Sequence, residues 1–138
     1  MDEQQLLERF QSAAPDYLQR MGGRFISVNT ATGACVMEFD IGRDFCHTVD
    51  VVQGGFVTSM LDITMTHAAF ATSDDVINIA SLEIKTTYLE PTRAGRLRVE
   101  GHVIKCGYKI AFMEGRIYNA EGLLTATGNS VAKVIRNQ

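Results

Sequence analysis

The stretch from His47 to His67, HTVDVVQGGFVTSMLDITMTH, holds the residues with the clearest chemical potential. Gly54 and Gly55 stand together where a run with helical apolar spacing begins. A glycine inside a helix costs about 1 kcal/mol relative to alanine, so a pair at the first turn implies either a tight loop-to-helix turn or the close approach of a ligand. The first turn also carries N–H groups without intrahelical partners and the positive end of the helix dipole. The Gly54 N–H is thus a candidate donor to an oxygen that becomes negative during acyl transfer. The second candidate is Asp62, an acid in mid-helix within the otherwise apolar Phe56 to Ala71 segment, which must face solvent, a partner or a site. Burial there, with few cations nearby, would raise its pKa and make it a better base near neutral pH. Removing an oxyanion donor typically costs ~10² to 10³ in rate, and a positioned base contributes ~10² to 10⁴, so these two groups suffice for acyl chemistry.

The elements that position them follow from periodicity. The central helix is expected over 54–72, with Val57, Met60, Leu61, Thr64, Met65 and Ala68 forming a broad apolar stripe and Thr58, Asp62, Thr66 and Ala69 on another side. Before it, Leu6, Leu7, Phe10, Ala13 and Ala14, then Tyr17, Leu18 and Met21, show helical spacing interrupted at Pro15. These predict one or two short helices in an N-terminal extension over residues 1–21, packed outside the main body. Strand-like runs follow at 24–29 and 34–41 around a turn at Thr32-Gly33, and a loop covers 42–52. After the helix, Leu82, Ile84, Thr86 and Tyr88 alternate with Glu83, Lys85, Thr87 and Leu89. Further strands are expected at 96–103, 109–118 and 123–135, and the short breaks between them imply antiparallel hairpins. One long apolar helix beside such a sheet must be wrapped by it to bury its stripe. The reading is a single α+β domain over 1–138, with an antiparallel sheet of about five to six strands around one long helix.

Composition narrows the function. The 138 residues are 46% hydrophobic and 21% charged, with 13 Lys plus Arg against 16 Asp plus Glu and a net charge of −3 spread along the chain. That is the balance of a folded globular domain, and nothing in it points to nucleic acid. No apolar run approaches the ~20 residues of a membrane span, and the acidic, polar first twenty residues are unlike a signal peptide, so a cytoplasmic protein without a membrane partner is expected. Cys35, Cys46 and Cys106 are odd in number and widely spaced, which reads as reduced thiols, mostly buried. His47, His67 and His102 lack metal-ligand spacing, and there is no phosphate loop or G-x-S-x-G elbow, so neither a metal nor a cofactor is expected.

The segment VVQGGFVTSMLDITM resembles the central-helix motif of the PaaI-like (phenylacetyl-CoA-thioesterase-like) branch of the hotdog thioesterases, in which a His or Gln and two glycines precede an acid on the helix. SLEIKTTYLEP, from Ser81 to Pro91, resembles the following strand with its aromatic-Leu-x-Pro ending, and the likeness extends over 22–134. It implies the hotdog fold and hydrolysis of acyl-CoA thioesters. It also implies roles: Asp62 as nucleophile or general base, the Gly54 N–H as oxyanion donor, Ser81 as the hydroxyl that positions water or the carboxylate, and Gln53 beside the thioester carbonyl. The family builds the site across a dimer interface, so a homodimer or homotetramer is implied. Two positions depart from the pattern: His47 stands where many relatives have Asn, and Gln at position 53 removes any imidazole that would polarise the carbonyl.

Other residues carry weaker signals. Gly55 and Thr58 lie beside the expected site; Lys105 and Lys109 flank the Cys106-Gly107-Tyr108 turn and would suit CoA phosphates or mere solubility. His67 is either a packed histidine or part of the acyl end of the pocket, and Met37, Met60, Met65 and Met113 read as core. Two competing functions stay open, a non-catalytic acyl-CoA or lipid-binding hotdog protein and a hotdog hydratase or dehydratase.

Overall fold

A computed structural model describes residues 1–137. Two helices open the chain, α1 (Glu3–Ser12) and α2 (Asp16–Arg20), followed by strands β1 (Gly23–Asn29) and β2 (Ala34–Ile41). After a 3₁₀ turn (Arg43–Phe45) come the short strands β3 (Cys46–Thr48) and β4 (Val51–Val52). The long helix α3 (Gly54–Phe70) precedes β5 (Val76–Tyr88), β6 (Gly95–Cys106), β7 (Ile110–Asn119) and β8 (Leu124–Arg136). Six strands form one sheet in the order β1-β2-β6-β7-β8-β5, with every neighbouring pair antiparallel. This is the hotdog arrangement, with α3 in the concave face of the sheet.

Why α3 lies so close to the sheet is visible in the register. Gly101 of β6 pairs with Gly115 of β7, which pairs with Gly128 of β8, so three glycines form a row across adjacent strands. A β-carbon at Gly101 would stand 2.8 Å from the Thr64 carbonyl oxygen, and one at Gly115 would stand 3.1 Å from side-chain atoms of Leu61 and Met65. The row is thus a lane without side chains in which the helix backbone rests. Around it pack Met60, Leu61, Met65, Val99, Met113 and Ile117, all at most 1% exposed. Near 25 cal/mol per Å² of apolar surface, burying each such side chain contributes about 1.5–3 kcal/mol before entropic losses.

The N-terminal extension caps the fold rather than merely resting outside it. Asp2 and Gln5 form a reciprocal capping box that starts α1. The helix then buries Leu6 and Phe10, Phe10 meeting His67 of α3 edge-on at 4.8 Å. Two of its polar side chains reach the outer side of β1 and the turn after it, where the Phe25 N–H donates to Gln11 Oε1 at 2.9 Å and the Thr30 N–H to Glu3 Oε2 at 2.8 Å.

Three details differ from the sequence reading. The 42–52 loop contains the 3₁₀ turn and the β3–β4 ribbon, whose strands of three and two residues are too short to show alternation. Ala69 is fully buried, because α1 covers this end of α3 from the side away from the sheet. In β5 a register shift between Ser81 and Glu83 breaks the alternation, and Leu82 is left 61% exposed.

Candidate active site

One face of α3 runs along the outer strand of the sheet, β5. Gly54, Thr58 and Asp62 follow one another at four-residue intervals, and each meets a side chain of β5. The Tyr88 hydroxyl donates to the Gly54 carbonyl oxygen at 2.8 Å, the Thr58 and Thr86 hydroxyls are 2.7 Å apart, and the Ser81 hydroxyl donates to Asp62 Oδ1 at 3.1 Å. Thr58 Oγ1 also lies 3.2 Å from the Tyr88 oxygen, which ties the first two contacts together. A polar seam therefore runs along this side of the helix.

At the N-terminal end, Gln53 caps the helix: its Oε1 accepts from the Gly55 N–H at 2.8 Å, and its carbonyl accepts from Phe56 and Val57. The Gly54 N–H has no hydrogen-bond partner among the described residues. It retains the donor capacity and the dipole field that an oxyanion requires. Both glycines have a local structural reason as well. A β-carbon on Gly54 would stand 2.9 Å from the Tyr88 hydroxyl, and one on Gly55 would stand 2.8 Å from Gln53 Oε1. The pair thus admits the protein's own side chains, so the helix start is shaped before any ligand arrives.

Asp62 is half-buried. Loss of solvent raises its pKa above the ordinary carboxylate value, and the Ser81 hydrogen bond opposes the rise. Tyr17 of α2 carries a phenol whose pKa is pushed up by burial and then by the Asp62 charge. No reciprocal effect acts on Asp62, because Tyr17 is neutral at the pH where a carboxyl titrates. The acid is thus held by the Ser81 hydroxyl, and its charge is felt at Tyr17.

His47 lines a cleft of about 460 Å³ together with Gly54, Val57 and Tyr88, so the structure brings it to the glycine end of the seam. Lys105 and Lys109 do not reach it. Ser81 is in register with Ala132, and Ala132 with Ala111, next to the hairpin end. At ~4.8 Å per strand the two lysines stand about 10–15 Å from Ser81. His67 is a packed histidine: its Nδ1 lies 2.8 Å from the Ile63 carbonyl oxygen, and its ring sits between Phe10 and Phe25. Burial holds its pKa below the usual imidazole value, so the neutral ring donates from Nδ1.

Tyr88, Thr86 and Tyr17 are residues around the site that sequence reasoning missed. Tyr88 was visible as the aromatic of the strand-ending motif, and Tyr17 was grouped with core positions by its spacing. Tyr88→Phe is expected to release the Gly54 carbonyl and one Thr58 contact, costing about 1 kcal/mol and lowering Tm by about 3–5 °C. Calorimetry checks this, and a melt identical to wild type would remove Tyr88 from the support of the helix start.

Gly54 and Asp62 of one chain are separated by two helical turns, about 12 Å at 1.5 Å per residue. They cannot both touch one carbonyl group.

The profile of the thioesterase superfamily matches residues 50–126, which span the seam from the ribbon to β8. A Saccharolobus solfataricus protein whose name assigns it provisionally to the esterases is 31% identical over 99 residues, covering 72% of this chain and 70% of its own. Among solved structures, a Ralstonia eutropha thioesterase-like protein related to phenylacetic acid degradation superposes with a TM-score of 0.85 at 24% identity, over 94% of this chain and 99% of that one. The Escherichia coli PaaI protein from the phenylacetic acid degradation operon gives 0.84 at 16% identity, over 96% and 93%. A Streptococcus mutans protein bound to acetyl CoA gives 0.74 at 14% identity, over 83% and 89%. Six antiparallel strands around one helix, an acid and a glycine pair on that helix, and a profile match over more than half its length place this chain in the thioesterase superfamily.

Proposed function

We propose that the protein is an acyl-CoA thioesterase whose site is shared between two copies of the chain. The observation that carries the reading is the division of the seam: a hydroxyl-held acid at one end and an unpartnered N–H at a helix start at the other, too far apart to act together within one chain. A two-fold axis beside α3 brings the acid of one copy to the glycine end of the other. The S. mutans neighbour bound to acetyl CoA supports CoA esters as the substrate class.

In this reading the thioester carbonyl oxygen faces the Gly54 N–H of one subunit, with Gln53 and His47 beside it. Asp62 of the other subunit removes a proton from water held with Ser81, the water oxygen attacks the carbonyl carbon, and the C–S bond breaks to give the free acid and CoA. Alternatively Asp62 attacks directly, the thiolate leaves, and water hydrolyses the resulting anhydride; ¹⁸O found in the Asp62 peptide after a single turnover in ¹⁸O-water would establish this route with attack at the Asp62 carbonyl carbon, since the general-base route labels only the released acid. Neither route requires a metal or organic cofactor. In the same reading Lys105 and Lys109 take the CoA phosphates, about the length of an extended pantetheine arm away.

β5 supports the pairing. It is thirteen residues long, forms an outer edge of the sheet, and exposes Ile77, Leu82 and Tyr88 by more than half. A long apolar edge of this kind is a template for another strand.

Release of free thiol from a panel of acyl-CoA esters tests the chemistry, and the absence of turnover by folded protein across the panel would favour a binding protein instead. Subunit mixing tests the sharing. Gly54→Pro removes the N–H at a helix position whose backbone tolerates proline, with its β-carbon moving the end of the Tyr88 side chain aside, and Asp62→Asn removes the base. Mixing the two inactive proteins should restore about a quarter of wild-type activity, because half the dimers are mixed and each has one intact site. No recovery after verified subunit exchange would place the whole site within one chain.

A further inference from the structure

A cavity of about 390 Å³ opens between α2 and α3, lined by Tyr17, Arg20, Met21, Phe45, Phe56 and Ser59. Its floor is apolar. Met21 is 3% exposed, and the Phe45 and Phe56 rings meet edge to face at 4.8 Å, with Phe56 36% exposed at the opening. Its inner end approaches the acid along α3, where Ser59 of its lining lies about one helical turn before Asp62. Its outer end carries a single cation, Arg20, which makes no ion pair and no side-chain hydrogen bond among the described residues.

We propose that this cleft receives the acyl group of the thioester, and that Arg20 makes the enzyme prefer acyl groups carrying a carboxylate at their far end. The proposal rests on the thioesterase reading for the position of the reacting carbonyl at Asp62. From there the acyl chain passes Phe45, Phe56 and Met21, which remove its methylenes from water, and runs beside Tyr17 toward Arg20. Tyr17 and Arg20 are one turn apart on α2, so a chain of about four to six carbons reaches the guanidinium. A guanidinium forms a forked, charge-assisted pair with one carboxylate. The phosphates of CoA carry several negative charges, and one arginine in an otherwise apolar cleft is a poor match for them, which argues that the cleft takes the acyl end. The short α2 helix is held in place by Leu18, fully buried, so the N-terminal extension both seals the fold and supplies a wall of the cleft.

The test compares kcat/KM for adipoyl-CoA and hexanoyl-CoA, which differ only in the terminal carboxylate, in wild type and in Arg20→Met, which keeps an unbranched apolar stem. Wild type should favour adipoyl-CoA by about tenfold, the lower end for a charged hydrogen bond because the arginine is exposed and screened. In Arg20→Met the ratio should fall to about one. A wild-type ratio near one, or a ratio that survives the substitution, overturns the proposal; equal losses on both substrates would identify Arg20 as a contact of the CoA part. Calorimetric titration with non-hydrolysable thioether analogues of the same two CoA esters keeps the outcomes separate. If no ester is turned over but the carboxylate analogue binds about tenfold tighter in an Arg20-dependent manner, the hydrolase reading fails and the cleft assignment stands. Equal affinities for the two analogues would reject the cleft assignment whatever the turnover.

Discussion

Asp62→Asn is expected to lower kcat for thioester hydrolysis by about 10²- to 10⁴-fold while the protein stays folded. The amide keeps the size of the carboxyl and still accepts the Ser81 hydroxyl, so what is lost is the capacity to take a proton or to form an acyl bond. The same substitution should raise thermal stability at neutral pH. In the folded protein the ionised Asp62 is partly stripped of water, which raises its pKa, whereas in the unfolded chain the charge is fully solvated. The penalty is therefore present when Asp62 is ionised and disappears as the pH falls and the group takes up its proton. Asparagine carries no charge at any pH, so the stability advantage of the variant should shrink from about pH 7 toward about pH 4. Thermal melts across that range, with kcat measured on the same samples, check both halves. Wild-type kcat in the variant would remove Asp62 from the chemistry, and a Tm difference that grows toward acid would contradict the burial account.

The largest effect on stability is expected from Gly101→Val. The added β-carbon would stand 2.8 Å from the Thr64 carbonyl oxygen and 3.0 Å from the Met65 α-carbon, both backbone atoms of a helix that cannot yield locally. Relief requires lifting α3 off the sheet, which opens gaps around Leu61 and Met65. Overpacking of a core commonly costs about 1–3 kcal/mol, and a valine against helix backbone belongs at or above the upper end. Against a total stability of about 5–15 kcal/mol, this should lower Tm by 10 °C or more or leave the chain unfolded. Gly128→Ala is the matched control. Its new carbon would meet only side-chain ends of Leu61 and Met65, at 3.2 and 3.4 Å, which can turn aside. A larger loss at Gly128 than at Gly101 would mean that the lane is not what sets the height of the helix.

Much of the architecture was legible because its elements are long. α3 keeps an apolar stripe over seventeen residues, and β6, β7 and β8 alternate over ten or more, so periodicity alone separates helix from strand. What escaped depends on register. Gly101, Gly115 and Gly128 lie in three separate strands and become a row only when those strands pair, and the displacement of Leu82 needs a bulge that no local signal announces. The site shows the same division. Asp62 and Gly54 stood out as residues costly in a helix unless something needs them there. Ser81 was reached through family resemblance, and its contact with Asp62 depends on where β5 crosses the helix. Tyr17 looked like one more apolar position in an amphipathic segment, since nothing in the spacing of α2 indicates that it feels the charge of an acid on another element.

The two edges of the sheet are unequal. The β1 edge is partly covered by α1, with the Phe25 N–H bonded to Gln11 and the Thr30 N–H just beyond the strand bonded to Glu3, while the β5 edge is open. A sheet with two free edges can add copies end over end without limit, as fibres do. With one edge partly covered, joining through the other consumes it in both copies, and growth along the sheet stops at two. In the shared-site reading the N-terminal extension therefore acts as a terminator of sheet growth, and a chain lacking it is expected to form assemblies larger than a pair, which light scattering would detect.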